Sequence, residues 1–170
     1  PPPLVVAIAA RSSGWSSAFL SQFNTGTQLV AGLTLAPDGV TYTAHGRIDQ
    51  FAVRFSETVA PALDDLMVFG VSQAFYRPVL VSYDAATFTA LWQLPQPIDA
   101  DKLLVRVSGA IRDASGAIMG DDVVRRLDVL ASSTDGTTVE QANLARVLAA
   151  LFSRFGSADY NFASDINGDG

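Results

Sequence analysis

The chain has 170 residues, 49% of them hydrophobic and 16% charged, well below the roughly 25% charged content of ordinary soluble domains, so much of its surface is expected to be buried or covered by a partner. One core with a small appendage fits this length; two full domains would be tight. The net charge of −6 with 11 scattered basic residues excludes a nucleic-acid surface, which needs a basic stripe. No apolar run reaches the ~18 residues that would span a membrane. The absence of cysteine removes disulfides, thiolate nucleophiles and zinc-thiolate sites together.

Pro1-Pro2-Pro3 reads as a linker, and the chain as a piece of a longer protein whose leader would lie upstream. Leu4 to Ala10 is an apolar run short enough for a buried first strand. Trp15, Phe19, Leu20 and Phe23 fall at helical spacing and predict a short helix on the sandwich edge, capped by Ser12 or Ser13. Residues 24–47, rich in Gly, Thr, Ala and Pro, predict loop with one or two poor strands. Ile48 to Val59 holds the clearest period of two: Phe51, Val53 and Phe55 share a core face, with Gln50, Ala52 and Arg54 opposite. Pro61 to Asp65 makes a one-turn connection and Leu66 to Val71 returns as a strand. Pro78 to Tyr83 and Thr87 to Leu94 form a hairpin across Asp84 to Ala86, with Phe88, Ala90, Trp92 and Leu94 on the core face and Pro95 to Pro97 as terminator. Lys102 to Ser108 alternates again, Asp113 to Gly116 turns, and Val123 to Leu130 is the last strand.

Short strands about 8 to 15 residues apart with turn signals between them, and no intervening helices, point to an antiparallel sandwich of the immunoglobulin type. The segments Ile48 to Val59, Val68 to Val71, Thr87 to Trp92, Asp101 to Val105 and Asp113 to Gly116, with the early Gly14-Trp15-Ser-Ser-Ala-Phe19-Leu20, resemble a bacterial Ig-like module of large planctomycete surface proteins. The resemblance covers Val5 to Leu130. It departs at the late turn, where the family has Asp-x-Ala-Gly-Asn and this chain has Ser115, Gly116 and Ala117. The fold expectation is therefore a mainly β chain: an Ig-like sandwich over 1–130 with a short edge helix, then a C-terminal amphipathic helix.

Residues 131–170 carry that second expectation. Leu144, Val147, Leu148, Leu151, Phe152 and Phe155 form one helical stripe, Thr137 and Glu140 have capping-box spacing, and Gly156 sits where a helix stops. The helix is expected over about 140–155. Asp165, Asn167 and Asp169 then occupy positions 1, 3 and 5 of a calcium loop, with Gly170 at the sharp-turn position 6. The competing reading is a polar Asn-Gly/Asp-Gly turn. In the planctomycete modules a dockerin type I segment of two EF-hand-like calcium repeats commonly follows, and residues 131–170 resemble a truncated one. That resemblance implies a cohesin-like docking partner, calcium as cofactor, and a secreted or cell-surface location. The first repeat lacks ligands: either alignment leaves Ser132, Thr134 and Gly136, or Ala131, Ser133 and Asp135, at positions 1, 3 and 5. The loop at 165–170 is incomplete beyond position 6, so weak or absent calcium binding is expected of this chain. Its helix is expected to lie on the sandwich.

No residue is nominated as catalytic. Gly70-Val-Ser72-Gln-Ala74 imitates a nucleophile elbow only in part, and the single histidine, His45, precedes it. The pairs Asp64-Asp65 and Asp121-Asp122 suit turns, and Glu57 suits a structural hydrogen bond. Trp15, Tyr42, Phe75, Tyr76 and Tyr83 are candidates for sugar stacking, which keeps a second reading open: a carbohydrate-binding accessory module of a polysaccharide-degrading enzyme.

Overall fold

In the computed structural model the described residues are 1–23, 30–130 and Ser157. Their strands are β1 (Val5–Arg11), β2 (Leu33–Thr34), β3 (Val40–Thr43), β4 (Ile48–Phe55), β5 (Leu66–Gly70), β6 (Leu80–Asp84), β7 (Thr89–Ile98), β8 (Asp101–Val107) and β9 (Val123–Val129). A five-residue helix, α1 (Ser17–Ser21), follows β1, and a single 3-10 turn at Leu63–Asp65 leads into β5. Two sheets result, one ordered β2-β1-β4-β7-β6 and the other β3-β9-β8-β5. The strands β1, β4, β7 and β6 take the A, B, E and D places of an immunoglobulin sandwich, and β5, β8 and β9 take C, F and G. All pairs are antiparallel except β3 with β9, which run parallel.

Alternation builds the core. Phe51, Val53 and Phe55 of β4 and Ala90, Trp92 and Leu94 of β7 meet Leu66, Val68, Leu103, Val105, Val107, Leu127 and Val129 of the opposite sheet, all nearly or fully buried. A large side chain buried this completely contributes about 1.5–3 kcal/mol by transfer alone. Trp92 combines full burial with a hydrogen bond from its Nε1 to the Ala62 carbonyl at 3.1 Å, so its polar edge is satisfied and its rings fill the centre.

Four expectations change in detail. The helix cap is Ser16, whose hydroxyl accepts from the Phe19 N–H at 3.1 Å; Ser12 accepts instead from Gly14 N–H and Ser13 binds Asp49. Phe88 is not in the strand: its φ of 54° places it in the left-handed region at the tip of the hairpin, outside the core alternation. The strand β7 does not stop at Leu94 but resumes pairing with β4 at Ile98. Pro95 and Pro97 sit in the break between Gln93 and Ile98, where no ladder N–H is required of them. Finally, Ala52 is buried although it points away from the core, because Val30 covers it together with Ala9.

Candidate functional site

Asp165, Asn167 and Asp169, the loop 165–170 and the expected helix at about 140–155 lie outside the described residues. Among the described residues no group of three or more His, Cys, Asp or Glu could hold a metal, and no helix is long and apolar enough to cross a membrane. The densest polar constellation they contain is centred on Asp101.

Asp101 opens β8 and is only 6% exposed. The strand β5 ends at Gly70 across from Leu103, so the loop that follows passes directly over the carboxylate. Oδ1 accepts from the N–H groups of Val71 at 3.0 Å, Ser72 at 2.9 Å and Lys102 at 2.8 Å; Oδ2 accepts from the Tyr76 hydroxyl at 2.7 Å and Gln73 N–H at 3.4 Å. Burial by itself would raise this carboxyl. The donors, led by Ser72 N–H and the Tyr76 hydroxyl, outweigh burial and hold its pKa at about 2. The phenol of Tyr76 is pushed up to about 12, first by burial and then by its bond to the charged Asp101.

Five donors on one carboxylate leave no lone pair for abstracting a proton. The arrangement instead fixes a loop. Gly70 is part of the device, because a Cβ there would strike Asp101 Oδ2, approach the Tyr76 ring to 2.7 Å and the Gln73 carbonyl oxygen to 2.9 Å. A cleft of ≈590 Å³ adjoins the loop, lined by Gln73, Tyr76, Arg77 and the Pro95 to Ala100 segment.

The other sequence candidates are dispersed. His45 is 6% exposed and its ring packs edge-on against Trp15, Phe19 and Phe23, while Ser72 belongs to the Asp101 loop; the two are held in separate settings. Trp15 is buried in that aromatic cluster. Tyr76 is committed to Asp101, and the Tyr83 hydroxyl accepts from Val59 N–H at 3.2 Å. Of the five sugar-stacking candidates, Tyr42 and Phe75 are the exposed ones. Asp65 accepts from Ala62 N–H at 2.7 Å and Asp64 faces Arg77 at 3.3 Å on the surface. Asp122 accepts from Gly109 N–H at 2.9 Å and from Arg106, which hold its carboxyl below the usual range. Glu57 is half-buried but, against expectation, its carboxylate makes no hydrogen bond among the described residues.

Sequence reasoning missed the Asp101 constellation. Its only signal is an aspartate opening an alternating strand, and many aspartates do so without collecting a distant loop. The partners lie 25 to 30 residues upstream, and nothing in local spacing pairs them.

Fold and site together define an immunoglobulin-type β-sandwich in which Asp49, Asp84, Asp101, Asp113 and Asp122 are bonded to the chain's own loops. No protein-family model matches the chain, and no curated protein matches it. Among solved structures, the chain is similar to the N-terminal part of the bacterial S-layer protein SbsC, with 14% identity over 76% of this chain and 24% of that one and a TM-score of 0.48. Domains 1–6 of the surface layer protein SbsC match at 14% identity and a TM-score of 0.43, over 75% of this chain and 14% of that one. The chain thus spans a quarter or less of the length of these structures.

Proposed function

We propose that this chain is a non-catalytic structural or assembly module of a secreted or cell-surface bacterial protein, its residues 131–170 forming a dockerin-like, calcium-binding docking segment. The observation that carries the structural half is the use made of acidic side chains at loops. Loops are where binding and catalytic groups normally stand ready. Here Asp49 takes Ser13 N–H at 2.7 Å, Asp84 takes Ala86 N–H at 2.9 Å, Asp101 takes three N–H groups of the loop after β5, Asp113 takes Ser115 and Ala117 N–H at 2.8 Å each, and Asp122 takes Gly109 N–H. Connections tied down in this way suit a spacer that holds its neighbours at fixed distance.

The docking half rests on Asp165, Asn167, Asp169 and Gly170, whose side-chain oxygens and terminal turn follow the order of a calcium loop. Its partner would be a cohesin-like protein or a neighbouring surface module. The test is calcium titration of the chain followed by amide NMR. Shifts confined to Asp165 to Gly170, saturating at roughly millimolar calcium or above, are expected of half a loop. No shift at those amides would remove the calcium assignment, and submicromolar affinity by calorimetry would contradict the incomplete ligand set.

A further inference from the structure

The outer face of the β2-β1-β4-β7-β6 sheet is dished. Register lays Arg11, Gln50, Gln93 and Leu80 in one cross-strand row, Ala9, Ala52, Leu91 and Ser82 in the next, and Ala7, Arg54, Thr89 and Asp84 in the one after. With two alanines and a serine, the middle row lies low between polar neighbours. A cleft of ≈370 Å³ results, at the small end of the roughly 300–1,000 Å³ of small-molecule sites. Val30, Ala52 and Leu91 line it, with Arg11 on the β1 side and Ser82, Asp84 and Thr87 on the β6 side.

Arg11 is the group the fold leaves unfinished. Its Nε donates to Gln50 Oε1 at 2.8 Å, Gln50 Nε2 donates to Gln93 Oε1 at 2.6 Å, and Gln93 Nε2 donates to the Leu94 carbonyl at 3.1 Å. This chain of amides across β1, β4 and β7 holds the guanidinium in one place. Its Nη1 and Nη2 groups have no hydrogen-bond partner among the described residues, and no carboxylate of those residues lies within ion-pair distance. Arg11 is also half-buried, and burial pushes its pKa down, partly offset by the charge of Asp49. A fixed, partly desolvated cation with idle donors is relieved by an anionic acceptor.

The facing wall decides what carries that charge. The Ser82 hydroxyl has no partner among the described residues. Asp84 accepts from Ala86 N–H at 2.9 Å and the Thr87 hydroxyl at 2.8 Å, which hold its carboxyl below the usual range and therefore ionised. An ionised carboxylate repels a second negative group but accepts from hydroxyls. The strands β1 and β6 are three spacings apart, ~14 Å, and the arginine side chain bridges part of that, which leaves the width of one sugar ring.

We propose that this cleft binds a sugar acid, with the carboxylate of a uronate ring on Arg11, its hydroxyls on Ser82 and Asp84, and its C–H face on Ala52 and Leu91. A plain anion would use Arg11 alone, and a neutral sugar would leave that cation without its counter-charge. The site goes beyond the assembly role proposed above and involves no residue of 131–170.

Isothermal titration and amide NMR of the full chain with trigalacturonate test this. Saturable shifts at Arg11, Ala52, Leu91 and Ser82 are expected. Arg11→Gln should weaken binding at least roughly ten-fold while the β4 and β7 amides otherwise keep their positions. Arg11→Lys, which keeps the charge but loses the planar fork, should weaken it less, and Ser82→Val, at an exposed position, should weaken trigalacturonate without changing the response to acetate. Galactotriose binding as tightly as trigalacturonate would overturn the role of the carboxylate, and acetate binding as tightly would overturn the sugar. No shift at these amides, or full binding retained by Arg11→Gln, would overturn the site itself.

Discussion

Replacing Asp101 by asparagine isolates the charge on the loop clamp from its shape. In the folded chain the carboxyl titrates at about 2 instead of 3.8, which corresponds to ~2.5 kcal/mol between its charged and neutral forms. Solvent beside the loop reduces this to ~2 kcal/mol. The folded value is depressed, so the contribution is fully present above the unfolded pKa of about 4 and is lost as pH falls through 2. Urea unfolding followed by fluorescence of Trp15 and Trp92, the two tryptophans, gives both stabilities with one probe. At pH 7 the Asp101→Asn chain should be weaker by ~2 kcal/mol with an unchanged denaturant slope. At pH 2 the gap should close to about 0.5 kcal/mol or less, because the native carboxyl is then half protonated itself. Other carboxylates titrate equally in both chains and cancel in the difference. A gap as wide at pH 2 as at pH 7 would refute the electrostatic account and leave only packing; a gap under about 0.5 kcal/mol at neutral pH would refute the clamp.

Three further perturbations follow from the same geometry. Gly70→Ala should cost roughly 2–4 kcal/mol, since its methyl meets a carboxylate, a ring and a backbone carbonyl at once, and a thermal midpoint within a degree or two of the parent would count against the packing described. Trp92→Phe removes one of the two donors to the Ala62 carbonyl, leaving Asp65 N–H at 3.2 Å, and opens space at the centre of the sandwich, for an expected loss of about 2–4 kcal/mol by urea unfolding, most of it from the cavity; a neutral result would mean that the site collapses fully. On the alkaline side, the raised Tyr76 phenol contributes stability that is complete below about pH 10 and lost as pH rises through about 12. Tyr76→Phe should therefore flatten the alkaline limb of the stability curve, measured as denaturation midpoints between pH 9 and 12, and an identical limb in both chains would contradict the hydrogen bond.

The strands whose residue types alternate in the sequence were legible because that pattern is local. β4, β8 and the middle of β7 alternate residue by residue, and Phe51, Trp92 and Val105 fall inward as the period of two requires. In the N-terminal third the first strand and the short helix fell where expected, as β1 and α1, but the strands within 24–47 were not legible. β1 joins one sheet and β3 the other, and this switch leaves no periodic trace because Val40–Thr43 is short and takes its register from the distant β9. Phe88 misled in a particular way: it has the parity and hydrophobicity of a core residue, but the hairpin tip requires a positive φ there, and turn geometry overrides alternation. The clamp was illegible for a related reason, since its chemistry arises from a loop crossing over a strand end.

The parallel pairing of β3 with β9 bears on how such a module carries tension. A load drawn through the chain pulls β9 by its C-terminal end and enters the N-terminal limb at β1, so it meets the β1–β4 ladder before it reaches β3. Because the two strands point in the same direction, Val40 to Thr43 and Arg126 to Val129 are then dragged lengthwise past each other. Their bonds share the strain together and do not open one after another from an end. A module wired like this resists stretching as a lap joint does, and gives way abruptly once the overlap slips.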